Sequence, residues 1–225
     1  MKDEIVNKIL EALGYDTSPT SVSDQLEAER KRVEVAVCRL KEKAKSRVLY
    51  KVLEMCNLEQ RKFIDEKILL GQSVRQFLGQ PDKVIICATT LGTQVDQLIR
   101  MEGVLSISNA VLIDTAAMEV IEDNLNEWVR TLKKEHFDGA YLSPRFSPGY
   151  GDMPLTMQKD ILKELQCQKQ IGLTVSDSGI LLPKKSVTAV IGVYDRPFET
   201  HYSNCDSCLI RTVCKKRERG DYCGY

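Results

Sequence analysis

No stretch of the 225-residue chain approaches the ~20 consecutive apolar residues that a membrane-spanning helix needs. Neither sign of charge is in excess: 32 basic residues face 32 acidic ones, so bulk electrostatics offers no reason to expect a nucleic acid or an anionic membrane as partner. Phosphate-cradling glycine motifs are missing too. VIICATTLGTQVDQLIR passes from a strand pattern through Gly92 into a helix pattern, yet it contains neither G-x-G-x-x-G nor G-x-x-x-x-G-K-[ST]. Histidine is scarce, with only His136 and His201. Internal repeats and low-complexity segments are absent. The N-terminus, MKDEIVNKILEALGY, lacks the layout of a signal peptide and reads as an amphipathic helix, so a cytoplasmic protein is expected.

What remains is ordinary globular composition, 43% hydrophobic and 28% charged. Apolar spacing predicts a long helix over 24–46, where Leu26, Val33, Val37 and Leu40 share a face; the basic residues on the other faces read as a solvated surface. Strands are predicted over 48–55 and 84–90, the second apolar enough to be central. A long helix over 107–134 places Thr115, Ala116, Glu119 and Asp123 on one face, with Ile113, Ala117, Val120, Ile121 and Trp128 towards the other. A short strand (137–143), a helix (154–166) and two strands in 178–195 follow. This order matches neither strict βαβ alternation nor an all-helical protein. It predicts an α+β fold with a largely antiparallel or mixed sheet packed with long helices.

Eight cysteines are unevenly placed. Cys38, Cys56, Cys87 and Cys167 are isolated and read as small buried hydrophobes. Cys205, Cys208, Cys214 and Cys223 crowd the last 21 residues. The expected layout is one domain over 1–200, whose first 23 residues are a helix and linker, followed by a cysteine-rich tail over 201–225.

SPRFSPGYGDMPL (143–155) concentrates proline and glycine around one arginine. Pro148 pins the backbone, while Gly149 and Gly151 permit positive φ or close approach. Arg145 offers a planar fork that matches a carboxylate or phosphate, and Tyr150 offers a ring to stack on. From spacing alone two readings stand: a turn whose arginine caps a neighbouring element, or one wall of a ligand site.

SPRFSPGYGDMPLTMQ followed by IGLTVSDSGILLPKKSVTAVIG resembles the activation (reactivation) domain of cobalamin-dependent methionine synthase. The likeness rests on the R-x-x-x-G-Y loop and on Gly172, Leu173, Thr174, Ser178, Leu182, Pro183, Ser186, Val187 and Thr188. It spans about 114–193, with AAMEVIEDNLNEWVR as the matching upstream helix. The resemblance implies a curved, helmet-shaped α+β fold that binds S-adenosylmethionine. It implies reductive methylation, and so reactivation, of cob(II)alamin on a corrinoid-carrying methionine synthase subunit, with a flavodoxin- or ferredoxin-like electron donor. Carried over, Arg145 would grip the ligand carboxylate and Glu119 its amino group. Ser147 backbone would contact the adenosine portion, and Gly149 and Tyr150 would shape the wall. Tyr202 is the candidate for a further tyrosine contact. Neither histidine has the D-x-H-x-x-G context of a cobalt-ligating loop, so the corrinoid is expected on the partner.

Cys205-x₂-Cys208-x₅-Cys214-x₈-Cys223 departs from that family. Thiolates at this spacing fit a [4Fe–4S] cluster, a structural zinc site, or a metal-free redox-labile tail. Two further functional readings therefore stay open: a non-catalytic iron–sulfur or zinc protein that relays electrons or bridges partners, and a reactivator of another corrinoid methyltransferase.

Overall fold

The structure is a computed structural model that describes residues 2–18, 23–54, 72–198 and 212–213. In chain order its elements are α1 (Lys2–Ala12), α2 (Asp24–Lys43), β1 (Arg47–Glu54), α3 (Gln72–Leu78), β2 (Lys83–Thr90), α4 (Thr93–Leu105), α5 (Ile107–His136), β3 (Tyr141–Leu142), α6 (Met157–Glu164), α7 (Cys167–Ile171), β4 (Thr174–Val175), β5 (Leu181–Leu182) and β6 (Ser186–Tyr194). Four strands form a sheet in the order β1-β2-β6-β3, and β4 pairs with β5. The α+β class expected from the sequence is the class observed. None of the described helices is long and apolar enough to cross a membrane.

Two compact units divide the described chain. The first comprises residues up to Arg47, Thr89–Glu127 and Leu182–Ser186; the second comprises Val48–Ala88, Trp128–Leu181 and the segment from Val187 onward.

In the first unit α2 begins at the N-cap Ser23, whose hydroxyl accepts the Leu26 N–H at 3.1 Å and so satisfies one orphan donor of the first turn. Its buried stripe is Val33, Ala36, Val37 and Leu40, close to the stripe predicted from spacing. Gly92 turns the chain into α4 with φ 87°, a conformation that favours glycine. Gly103 and Ala110 let α4 and α5 approach closely, a Cβ at 103 standing 3.6 Å from that of Ala110.

In the second unit the sheet carries a core on each face, and strand alternation sorts the side chains between them. Val84, Ile86, Ala88 and Val190 join Phe77, Phe146, Met153, Met157 and Ile161 in one cluster. Ile85, Cys87, Ala189, Ile191 and Val193 join Leu132 and Leu142 in the other, with Trp128 against them. Covered faces on both sides explain why VIICA and AVIGV are apolar throughout rather than alternating.

The helix predicted over 154–166 is shorter, running from Met157 to Glu164. Pro154, Leu155 and Thr156 accept tight i+3 bonds from Met157, Gln158 and Lys159 before α6 proper begins. Gln166, with φ 50°, separates α6 from α7.

Candidate functional site

Arg145, Ser147, Gly149 and Tyr150 lie in the second unit, in the segment that runs from β3 to α6. That segment continues alongside β6 after β3 ends, but with a break in register. Tyr141 faces Tyr194 and Leu142 faces Val193, whereas Phe146 faces Val190. The Ser143 N–H still donates to the Gly192 carbonyl at 2.9 Å, so Pro144 and Arg145 together stand opposite Ile191 alone. This is a β-bulge, and proline fits it because the unpaired position needs no ladder donor. The Ser143 hydroxyl accepts the Gly192 N–H at 2.8 Å and donates to the Pro144 carbonyl at 2.8 Å, pinning the bulge on both sides.

Cores on both faces of the sheet explain why two consecutive residues are both buried. Phe146 is fully covered in the first cluster, and Arg145 is 5% exposed. Arg145 lies within electrostatic range of Cys87, a member of the other cluster. Burial pushes the Cys87 thiol up to about 12; the nearby guanidinium and a backbone hydrogen bond at Ala189 pull the other way without overcoming it. Burial likewise raises Cys167 to about 11. Both cysteines are thus neutral thiols packed as hydrophobes, as expected from their contexts, whereas Cys38, expected to be buried too, is exposed.

From Ser147 onward the loop folds into two linked turns. The Tyr150 N–H donates to the Ser147 carbonyl at 3.0 Å across Pro148 and Gly149, and φ of 96° at Gly149 makes this a type II pattern. A second turn runs from the Tyr150 carbonyl to the Met153 N–H at 3.0 Å, with Gly151 at φ 52°. The Gly149 N–H closes the pair on the Met153 carbonyl at 2.7 Å. Three main-chain donors are therefore spent inside the loop, which is stiff before any ligand arrives. Buried Met153 and the edge-on packing of Tyr150 against Phe146, centroids 5.7 Å apart, anchor it to the core.

The two segments that carry the family resemblance meet in this unit. Leu155, in the first of them, touches both Gly149 and Gly179: a Cβ on Gly149 would stand 3.1 Å from its Cδ2, and a Cβ on Gly179 would stand 3.3 Å from its Cβ. Gly179 belongs to the tight β4–β5 connection, where the Ser176 N–H donates to the Ile180 carbonyl at 2.8 Å and the Gly179 N–H to the Ser176 carbonyl at 3.0 Å. Gln158 carries no motif or spacing that marks it as a site residue. It is buried in the first turn of α6, and its Oε1 has no hydrogen-bond partner among the described residues. A buried unpaired acceptor is where a ligand donor or an ordered water is accommodated.

Glu119 belongs to the first unit, on α5 with Asp123 one turn further on. Lys8 of α1 is in electrostatic range of both. Its pKa is raised chiefly by a hydrogen bond to Glu4 at 3.0 Å, opposed by desolvation, with added Coulombic support from Glu4, Asp123 and Glu119. The predicted polar face of α5 is therefore an anionic patch with one ammonium already in its field.

Cys205, Cys208, Cys214, Cys223 and Tyr202 lie outside the described residues. Among the described residues no group of three or more His, Cys, Asp or Glu side chains is arranged to hold a metal ion.

The site is thus a bulged, doubly turned loop beside the sheet that carries one buried arginine, Arg145. Among solved structures the chain is similar to the crystal structure of the MetH reactivation domain bound to AdoHcy, with a TM-score of 0.61 over 97% of this chain and 84% of that one. Sequence identity is 14%, so the likeness is one of fold. No family model and no curated protein matches the sequence.

Proposed function

We propose that the chain binds S-adenosylmethionine and supports the reductive methylation of cob(II)alamin held by a corrinoid-carrying methionine synthase. The observation that carries this reading is the shared fold with a reactivation domain solved with AdoHcy, the demethylated form of that methyl donor. The R-x-x-x-G-Y loop supports it further, being stiff and anchored. In this reading the Arg145 guanidinium holds the ligand carboxylate and Glu119 its ammonium. The Ser147 backbone meets the adenosine portion, and Gly149 and Tyr150 form the wall. Preorganisation of the loop by its own hydrogen bonds reduces the ordering cost of binding.

The protein's task in such a reaction is positioning, because the sulfonium supplies the methyl group and the partner's corrinoid accepts it. One external electron, from a flavodoxin- or ferredoxin-like donor, reduces cob(II)alamin. The methyl then passes from sulfur to cobalt, and S-adenosylhomocysteine leaves. The Cys205, Cys208, Cys214 and Cys223 spacing favours a second reading, in which a [4Fe–4S] or zinc tail makes the chain an electron relay or partner-binding protein. Another corrinoid methyltransferase could equally be the protein reactivated.

Titration calorimetry of anaerobically purified full-length chain with S-adenosylmethionine tests the leading reading. Saturable binding that Arg145→Ala weakens is the expected result; a well-folded chain that binds nothing overturns it. Metal analysis with visible absorption decides the tail, since an iron–sulfur cluster absorbs and zinc does not.

A further inference from the structure

The first unit bears an apolar ledge where α4 meets α5. Met101, Val104, Leu105 and Ile107 are 66%, 84%, 79% and 78% exposed, and Val111 follows one helical turn later. Single exposed apolar residues are ordinary, but five within eleven positions of a helical corner are not. Beside the ledge runs a groove of about 340 Å³, lined by Lys31, Val35 and Arg39 of α2, Glu102 of α4, and Leu112 and Ile113 of α5 among others.

The charges of this groove are set by a network across three helices. The Glu102 carboxylate is buried and spends one oxygen on Arg39 at 2.5 Å and the other on Asn109 at 3.3 Å. Arg32 donates to the Asn109 side-chain carbonyl at 3.0 Å and pairs with Glu29 at 2.5 Å. Lys31 has no partner among the described residues, and both Glu102 oxygens already accept a hydrogen bond, from Arg39 and Asn109. The rim is accordingly cationic, and the ledge beside it is apolar.

We propose that this face docks a partner protein through a segment that sets acidic side chains around apolar anchors. The ledge extends from Met101 near the end of α4 to Val111 in α5, along a helical corner rather than around a closed pocket. A second copy of the chain is disfavoured, because a two-fold contact would set one cationic rim against another. The cationic rim supplies steering and specificity, and the ledge supplies buried area.

The test uses the full chain and two fluorescein-labelled helical peptides. One carries leucines at helical spacing flanked by glutamates, and its twin carries lysines in place of the glutamates. Fluorescence anisotropy should show binding of the acidic peptide, weakening with added salt, and little binding of the twin. Lys31→Glu and Leu105→Ser should each weaken the acidic peptide by about threefold to tenfold, and Lys31→Glu should strengthen the twin. Both positions are exposed, and unchanged melting curves confirm that the variants fold; Val104→Ser replaces Leu105→Ser if it does not. Absence of acidic-peptide binding, equal binding of the twin, or indifference to both substitutions overturns the proposal. So does sedimentation showing a wild-type dimer that Leu105→Glu dissolves, which would make a second copy the occupant.

Discussion

Tyr194 lays its ring over Gly192, so that a Cβ at position 192 would stand 2.2 Å from the tyrosine oxygen and 2.7 Å from Cζ. The ring cannot retreat cheaply, because its hydroxyl donates to the Leu78 carbonyl at 2.5 Å. Gly192→Ala should therefore destabilise the protein by about 1–3 kcal/mol, the usual cost of overpacking. Denaturant midpoints measure it. If Gly192→Ala costs as much in a Tyr194→Ala background, the steric account is wrong.

Arg39 and Glu102 lend themselves to a double-mutant cycle. Arg39→Ala leaves a buried carboxylate with one partner fewer, and a loss of about 1–3 kcal/mol is expected. Glu102→Gln in the same background should recover part of that loss, since the amide carries no charge to strand. Additive effects in urea unfolding would show that the pair does not act as a unit.

Gly149→Ala tests the stiffness of the loop. The new side chain would hold φ near 96°, which costs about 1–2 kcal/mol, and would press on Leu155 Cδ2. Thermal melting should register a modest loss, and calorimetry a weakened affinity for S-adenosylmethionine. Arg145→Ala should weaken the same affinity by about 1.5–3 kcal/mol if its charged hydrogen bonds are made. Retained affinity in Arg145→Ala would remove this arginine from the proposed site.

Alkali should unfold the protein in a way that Cys87 helps to set. In the unfolded chain this thiol ionises near 9, but in the fold only near about 12. Its protonated form is thus favoured by folding: the contribution is intact below pH 9 and is lost as pH rises towards 12. The expected slope between those limits is about 1.4 kcal/mol per pH unit for one thiol. Cys87→Ala should flatten the stability profile over that window, and a profile unchanged in slope would contradict the assignment. Peptide-resolved alkylation at neutral pH should mark exposed Cys38 well before Cys87 or Cys167.

Legibility followed periodicity. The α2 stripe, the apolar run of β2 and the length of α5 were all readable because one dominant spacing governs each. Two features were not. The 154–166 helix was expected to stop at Gln166, but that residue takes a left-handed conformation without being glycine, and nothing in the sequence announced α7 directly after it. The short helix α3 carries only seven residues, too few for a repeating face. At the candidate site the turns were foreshadowed by Pro148, Gly149 and Gly151, each acting locally. The bulge was not, because register is a property of two strands and only one of them contains Pro144. For the same reason the burial of Arg145 could not be read from its charge, which favours exposure.

The extra residue opposite Ile191 makes the length of this segment as informative as its letters. Deleting Pro144 would let the ladder close without interruption, leaving Leu142 opposite Val193 and Phe146 opposite Val190, each still on the face of its own cluster. What the deletion removes is the bulge, so Arg145 would take a regular position opposite Ile191. A relative that lacks one residue between Ser143 and Phe146 should accordingly keep both cores and lose the bulged presentation of its arginine.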